Sequence, residues 1–272
     1  MPHVTKHESE KFLPTPVEYV DAHVHFADSG YEGKVEEIVR AATIHGVAKM
    51  LTNATDYHSS LQTIGIAKSF PEQVLGAVGV HPSAILQSEN LHLPEFRKLI
   101  GENSSWITAI GEIGLDGKYT QDEQIRAKQS EVFRFFLGLA EEKHLPVVVH
   151  SRLAISETLN ALAQYQLPRV LMHWYDGPTD SLFLLKERGY WISIGPALLY
   201  SRKITDIARK VDDKMILTET DGPVRYRGIF GNELTKPWFV ADVVKKLADV
   251  RETDLATARS NVFSNFQRFL ER

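Results

Sequence analysis

The chain contains no cysteine. Disulfides and thiolate zinc sites are excluded, which leaves imidazole and carboxylate as its strong metal ligands. It also has no excess of positive charge: 31 Lys and Arg stand against 35 Asp and Glu, a net charge of −4, so no general basic field draws in nucleic acid or an anionic membrane. An anionic substrate would have to be held locally. No apolar run approaches the roughly 20 residues of a membrane span, and the opening MPHVTKHESEKFLPTP lacks the apolar centre of a signal peptide. The default address is the cytoplasm, and nothing implies a protein partner. There is no Gly/Ser tether, no low-complexity segment and no shift of composition after residue 18, so residues 1–18 read as a polar extension and 19–272 as one domain. The Gly-rich phosphate turn of a doubly wound open sheet is missing as well, which makes that fold the weaker competitor.

A hydrophobic content of 43% is ample for a sizeable core. Eight short apolar runs alternate with helical patterns: YVDAHVHF, GVAKMLTN, QVLGAVGV, SWITAIGE, LPVVVHS, RVLMHW, YWISIG and KMILTET. Between them, Val35, Ile38, Val39 and Ala42 recur at helical spacing, as do Val132, Phe136, Leu139 and Ala140. Further helices are expected near 155–165, 178–188, 202–211, 237–249 and 254–270. Eight strand–helix units in a chain this long predict a (β/α)₈ TIM barrel, an α/β fold of roughly 250 residues.

Side chains alternate along a strand, so Asp21, His23 and His25 face one way, and in the first strand of a barrel that way is inward. Two imidazoles so placed either chelate one ion or form a hydrogen-bonded pair in the core. The other strand ends bear on the choice. Glu112 ends the fourth run between Gly111 and Gly114, His150 ends the fifth, His173 the sixth, and Glu219 and Asp221 the eighth. All fall where barrel loops converge. Four imidazoles and two or three carboxylates there match a dinuclear site for divalent ions such as Zn²⁺, Mn²⁺ or Mg²⁺, with one carboxylate available as a bridge. His45, His144, His3, His7, His58 and His92 have no partner spacing, and no metal is expected at any of them.

From residue 19 to the end the sequence resembles the TatD family of metal-dependent hydrolases, a branch of the amidohydrolase-like barrels. The resemblance rests on DAHVHF, GVHP, GEIGLD, VVVHSR, the His173 block, ETDGP and the terminal SNVFSNFQRF, in that order. It implies that His23, His25, Glu112 and Asp221 hold one metal, and that Glu112, His150 and His173 hold the other, with Glu112 as the bridge. It also implies hydrolysis of phosphodiester bonds in DNA, often from the 3′ end. Asp221 is then expected to orient the attacking water and accept its proton. Asp21, Asp116 and Glu219 read either as carboxylates that fix imidazoles or waters, or as turn and core groups paired elsewhere.

For substrate contacts, Arg152 shares the face of His150 and can fork onto a phosphate, and His81 in GVHP is placed to touch a phosphate or leaving oxygen. The chain departs from the family at HWYDG, where His-Cys-Phe-Ser-Gly is common; Trp174, Tyr175 and Asp176 are thereby expected at the mouth, Trp174 as a stacking surface. Arg225 and Arg227 flank Tyr226 in the following loop. A deoxyribonuclease acting on DNA ends leads; a hydrolase of another ester or amide, a small molecule or aminoacyl ester, is the alternative, and a non-catalytic barrel scaffold comes third.

Overall fold

The computed structural model describes residues 18–88, 90–118 and 122–271, so His3 and His7 of the N-terminal extension lie outside the described residues. Eight parallel strands form one sheet in sequence order: β1 (Tyr19–Val24), β2 (Val47–Asn53), β3 (Val74–Val78), β4 (Ile107–Asp116), β5 (Val147–Arg152), β6 (Val170–Met172), β7 (Trp191–Ile194) and β8 (Ile216–Thr218). The helices are α1 (Val35–Ile44), α2 (Tyr57–Ser69), α3 (Leu93–Glu102), α4 (Glu123–Lys143), α5 (Ile155–Leu162), α6 (Ser181–Glu187), α7 (Arg202–Lys210), α8 (Val240–Val250) and α9 (Leu255–Leu270). This is the expected (β/α)₈ barrel.

The ladder does not continue from β8 back to β1. Individual bonds close the seam: Asp221 N–H donates to His23 O and His25 N–H to Gly222 O, both at 2.8 Å, and the Thr218 hydroxyl donates to Val20 O at 3.0 Å.

Local chemistry explains the elements. Helix α4 starts at Asp122, whose side chain accepts from the N–H of Gln124, and ends at His144, which turns the chain through the left-handed region (φ 53°) ahead of Pro146. It buries Val132, Phe133, Phe136, Leu137, Leu139 and Ala140 against the sheet; Phe136→Ala would cost about 3–5 kcal/mol. Helices α2 and α3 were not expected from periodicity. The buried positions of α2 are mostly small or polar, Ser59, Ser60, Thr63, Ile64 and Ala67, so its face carries little apolar contrast. Its start is marked instead by a capping box between Asp56 and Ser59.

A second difference concerns β4, which runs four residues beyond Glu112. Glu112 therefore lies within the strand, where the register against β5 slips between Ile110 and Ile113. Gly114 allows this close approach: its φ is +148°, and a Cβ there would sit 2.0 Å from His150 O.

Candidate metal centre

The C-terminal ends of the strands bring the expected side chains together. On the β1 side, His23 Nε2 and His25 Nε2 lie 3.1 Å apart. His25 Nδ1 is 2.8 Å from Asn53 O; a carbonyl only accepts, so Nδ1 carries the proton and Nε2 is the atom turned to the site. Asp221 places Oδ1 3.1 Å from His25 Nε2 and 3.4 Å from His23 Nε2. On the other side, His150 Nδ1 and His173 Nε2 approach Glu112 Oε1 to 2.9 and 2.8 Å.

Glu112 divides its two oxygens between these groups. Oε1 serves His150 and His173, while Oε2 lies 3.4 Å from both His23 Nε2 and His25 Nε2. His81 is drawn into the same array, its Nε2 3.5 Å from Glu112 Oε1 and 3.3 Å from His150 Nδ1. Expected only as a substrate contact, it forms with Glu112 and His150 one of the three clusters among the described residues whose ligand atoms lie within 4.8 Å of one another. The others are His23, His25 and Glu112, and His23, His173 and Glu219.

Behind these groups stand the three remaining carboxylates. Asp116 Oδ2 accepts from His150 Nε2 at 2.7 Å and from Arg152 Nε at 2.8 Å. Glu219 Oε2 lies 3.4 Å from His173 Nδ1 and accepts from the Ser193 hydroxyl. Of the two readings open for Asp21, the geometry matches the carboxylate paired within the barrel core. Its oxygens accept the N–H groups of His23 and Thr220 and the Thr220 hydroxyl, so it braces the seam between β1 and the chain after β8. Parity along the strand placed it inside correctly, but two residues below His23 is too deep to reach the ring cluster.

Electrostatics follow from burial among opposite charges. Burial works to raise the Glu112 carboxyl, but the imidazoles around it, His81, His173, His23 and His150, outweigh this and hold it well below the ordinary range. Burial works to lower His25, yet the carboxylates of Asp221 and Glu112 bring it up to about 9. His173 is likewise held up against burial by Glu112 and Glu219, whereas burial prevails at His81 and takes it down to about 3. Burial also pushes Asp21 well above the usual carboxylate range.

A cavity of about 640 Å³ opens over this cluster, with Arg152, Trp174, Asp28, Asp176, Pro223 and Val224 among its walls. Trp174 is half-buried, in the left-handed region at φ +39°, its backbone N–H donating to the Ser193 hydroxyl at 3.1 Å. Tyr175 is not at the mouth. It is buried, with its hydroxyl on Pro178 O, because the turn at Gly177 folds it inward. Tyr226 is also buried, against Trp174, so Arg225 and Arg227 do not flank an exposed ring. Asp176 stays at the surface, 3.7 Å from Lys203.

Asn53, Ser193 and Gln129 escaped the sequence reading. Gln129 reaches from α4 to accept the Asp116 N–H at 3.0 Å. His45 and His144 cap the ends of α1 and α4.

A parallel (β/α)₈ barrel with imidazoles and carboxylates gathered at the C-terminal ends of its strands defines the class of metal-dependent hydrolase barrels. Within that class the chain belongs to the TatD family: the family model described as TatD related DNase matches residues 20–271. A Methanocaldococcus jannaschii protein named as an uncharacterized metal-dependent hydrolase is 27% identical over 256 residues, 94% of this chain and 98% of that one. Human deoxyribonuclease TATDN3 is 26% identical, covering 85% of this chain and 87% of its own. The crystal structure of YjjV, a TatD homologue from Escherichia coli, superposes with a TM-score of 0.86 over 93% of this chain and 97% of its own, at 24% identity. Among the described residues no helix is long and apolar enough to cross a membrane.

Proposed function

We propose that this chain is a phosphodiesterase of DNA ends, of the 3′-exonuclease type, working with two divalent ions. The observation that carries the reading is the divided Glu112 carboxylate, with one oxygen toward His23 and His25 and the other toward His150 and His173. The residues fit such ions. Four ring nitrogens and three carboxylate oxygens face one another at 2.8 to 3.4 Å, an array that needs either protons or cations between its members. The buried Nδ1 of His23 and Oε1 of Glu219 also find no partner among the described residues. His23, His25, Glu112 and Asp221 would hold one ion, and Glu112, His150 and His173 the other.

The chemistry such ions supply is a lowered pKa for the attacking water and neutralisation of charge developing on the phosphate and leaving oxygen. The chain provides the rest. Asp221 Oδ1 orients the water and takes its proton. Asp116 holds Nε2–H of His150, which leaves Nδ1 facing Glu112. Arg152, tied through Nε to Asp116, brings a guanidinium to the phosphodiester, and neutral His81 offers a hydrogen bond to the leaving oxygen. Trp174 forms an apolar wall for the terminal base. The human relative's name, deoxyribonuclease, supports DNA as the substrate. One observation favours a second reading, hydrolysis of an uncharged ester or amide: Asp28 and Asp176 put two carboxylates on the cavity wall.

Arg152→Met separates the two. With metal content intact, kcat/KM on end-labelled single-stranded DNA should fall about 10- to 150-fold, the worth of a charge-assisted contact, while an uncharged ester is spared. Raised salt should weaken DNA hydrolysis more than ester hydrolysis. Equal injury to both substrates would mean that Arg152 acts only through Asp116, and the phosphodiesterase reading loses its support from this residue.

A further inference from the structure

The opposite end of the barrel holds a second cavity, rimmed by charged side chains. It measures about 460 Å³ and is walled by the turns leading into β6, β7 and β8 and by the last turn of α9. Arg169, Lys186, Lys214 and Arg268 line it against Asp212 and Glu271, and Asp212 is already engaged by Lys186 at 2.8 Å. Four cations to two carboxylates is a local positive excess in a chain whose net charge is −4.

Part of this has an ordinary cause. Lys186 and Arg268 lie in the last turns of α6 and α9, where a cation offsets the helix dipole, and Arg268 also donates to Lys214 O and to the Asn265 side chain. Helix capping leaves other donors unexplained. Nε of Arg169, Nε of Arg268 and the indole N–H of Trp191 are buried and find no partner among the described residues, and all three residues line this one cavity. Buried donors without acceptors are destabilising, and a ligand acceptor that reached any of them would relieve that cost. Burial also draws the Arg169 guanidinium below its ordinary value despite Glu271, as for a charge short of a counterion.

We propose that this cavity binds a small phosphate monoester, at a site separate from the hydrolytic centre. A dianionic phosphate matches the excess of two positive charges and accepts from Arg169, Trp191 and Arg268. Tyr190 and Trp191, which also line the cavity, give its organic part an aromatic wall. The site stands on its own whatever bond the metal centre cleaves.

Isothermal titration of the metal-loaded chain with adenosine monophosphate and with inorganic phosphate tests this. Adenosine monophosphate should bind more tightly than phosphate, at a site that survives Arg152→Met. Arg169→Gln should weaken it by about tenfold or more, the loss of a charge-assisted contact, with kcat on DNA unchanged. Trp191→Phe keeps the ring, removes the N–H and should weaken binding as well; it also serves as the test should Arg169→Gln fail to fold by circular dichroism. The proposal is overturned if the wild-type chain binds neither probe, if all binding disappears in Arg152→Met, or if affinity is unchanged in both Arg169→Gln and Trp191→Phe.

Discussion

The two halves of the ligand cluster are held by different means. On the β1 and β8 side the backbone does the positioning: Asn53 O fixes the His25 ring, and Asp221 sits in the left-handed region (φ +48°) with its N–H on His23 O. On the β4 to β6 side carboxylates do it. Asp116 orients His150 and Glu219 faces His173, and each is held in turn, by Arg152 and Gln129 or by Ser193. A main-chain acceptor neither titrates nor disappears on side-chain substitution. A carboxylate does both, so the second half is the one that mutation and pH can adjust.

The largest effect is expected where the halves meet. If both ions share its carboxylate as proposed, Glu112→Gln should deplete them together and reduce hydrolysis by more than the ~10²–10⁴ typical of losing a general base. Elemental analysis showing full double occupancy would remove Glu112 from its bridging position. Next comes the first half alone. Asp221→Asn keeps an oxygen but accepts no proton, so single-turnover rates should fall about 10²–10⁴ with substrate affinity little changed. Near-normal turnover with the metals retained would leave Asp221 as a ligand only.

A smaller loss, about 10- to 100-fold in metal affinity or activity, should follow Asp116→Asn, since Asp116 touches the His150 ring and, on the proposed reading, no ion. Competition with a chelator should show that only one of the two ions is weakened. Equal weakening of both would erase the contrast between the halves.

The smallest effect is on the stability of the metal-free chain. The Asp116 carboxyl is held down to about 2, against burial, by His150 first and then by Lys118 N–H and Arg152. Its contribution is therefore present above the unfolded value of 3.8 and is lost as pH falls through about 2. His25, raised to about 9, contributes fully below the unfolded value of 6.5, and that contribution is lost as pH rises through about 9. Thermal unfolding of the metal-free protein should show both limbs, with Asp116→Asn flattening the acid limb alone. An acid limb unchanged in that variant would mean that other carboxylates set it.

The contrast also tracks what the sequence displayed. His23, His25, Glu112, His150, His173 and Asp221 were legible because titratable residues at the ends of apolar runs are out of place, and the strands were legible because parallel strands buried on both faces are continuously apolar. The supports were less so. Asn53 acts through its carbonyl, which any residue possesses, and Ser193 and Gln129 are of types common in any strand or helix. Helix α2 was hidden because it packs serine, threonine and alanine against the barrel. Tyr175 was expected at the mouth, and Asp21 had two open readings, for a shared reason: spacing gives the side of a strand or turn but not the depth.

The seam between β1 and β8 has a consequence for biosynthesis. His25 and Asp221 are 196 residues apart in sequence, and the bonds that bring them together are the ones that close the barrel. Contacts of such long range carry a large loop-closure cost and form late. A chain still on the ribosome has no Asp221 to set beside His25 until nearly all of it has emerged. The ligand cluster is thus the last part of the molecule to be completed.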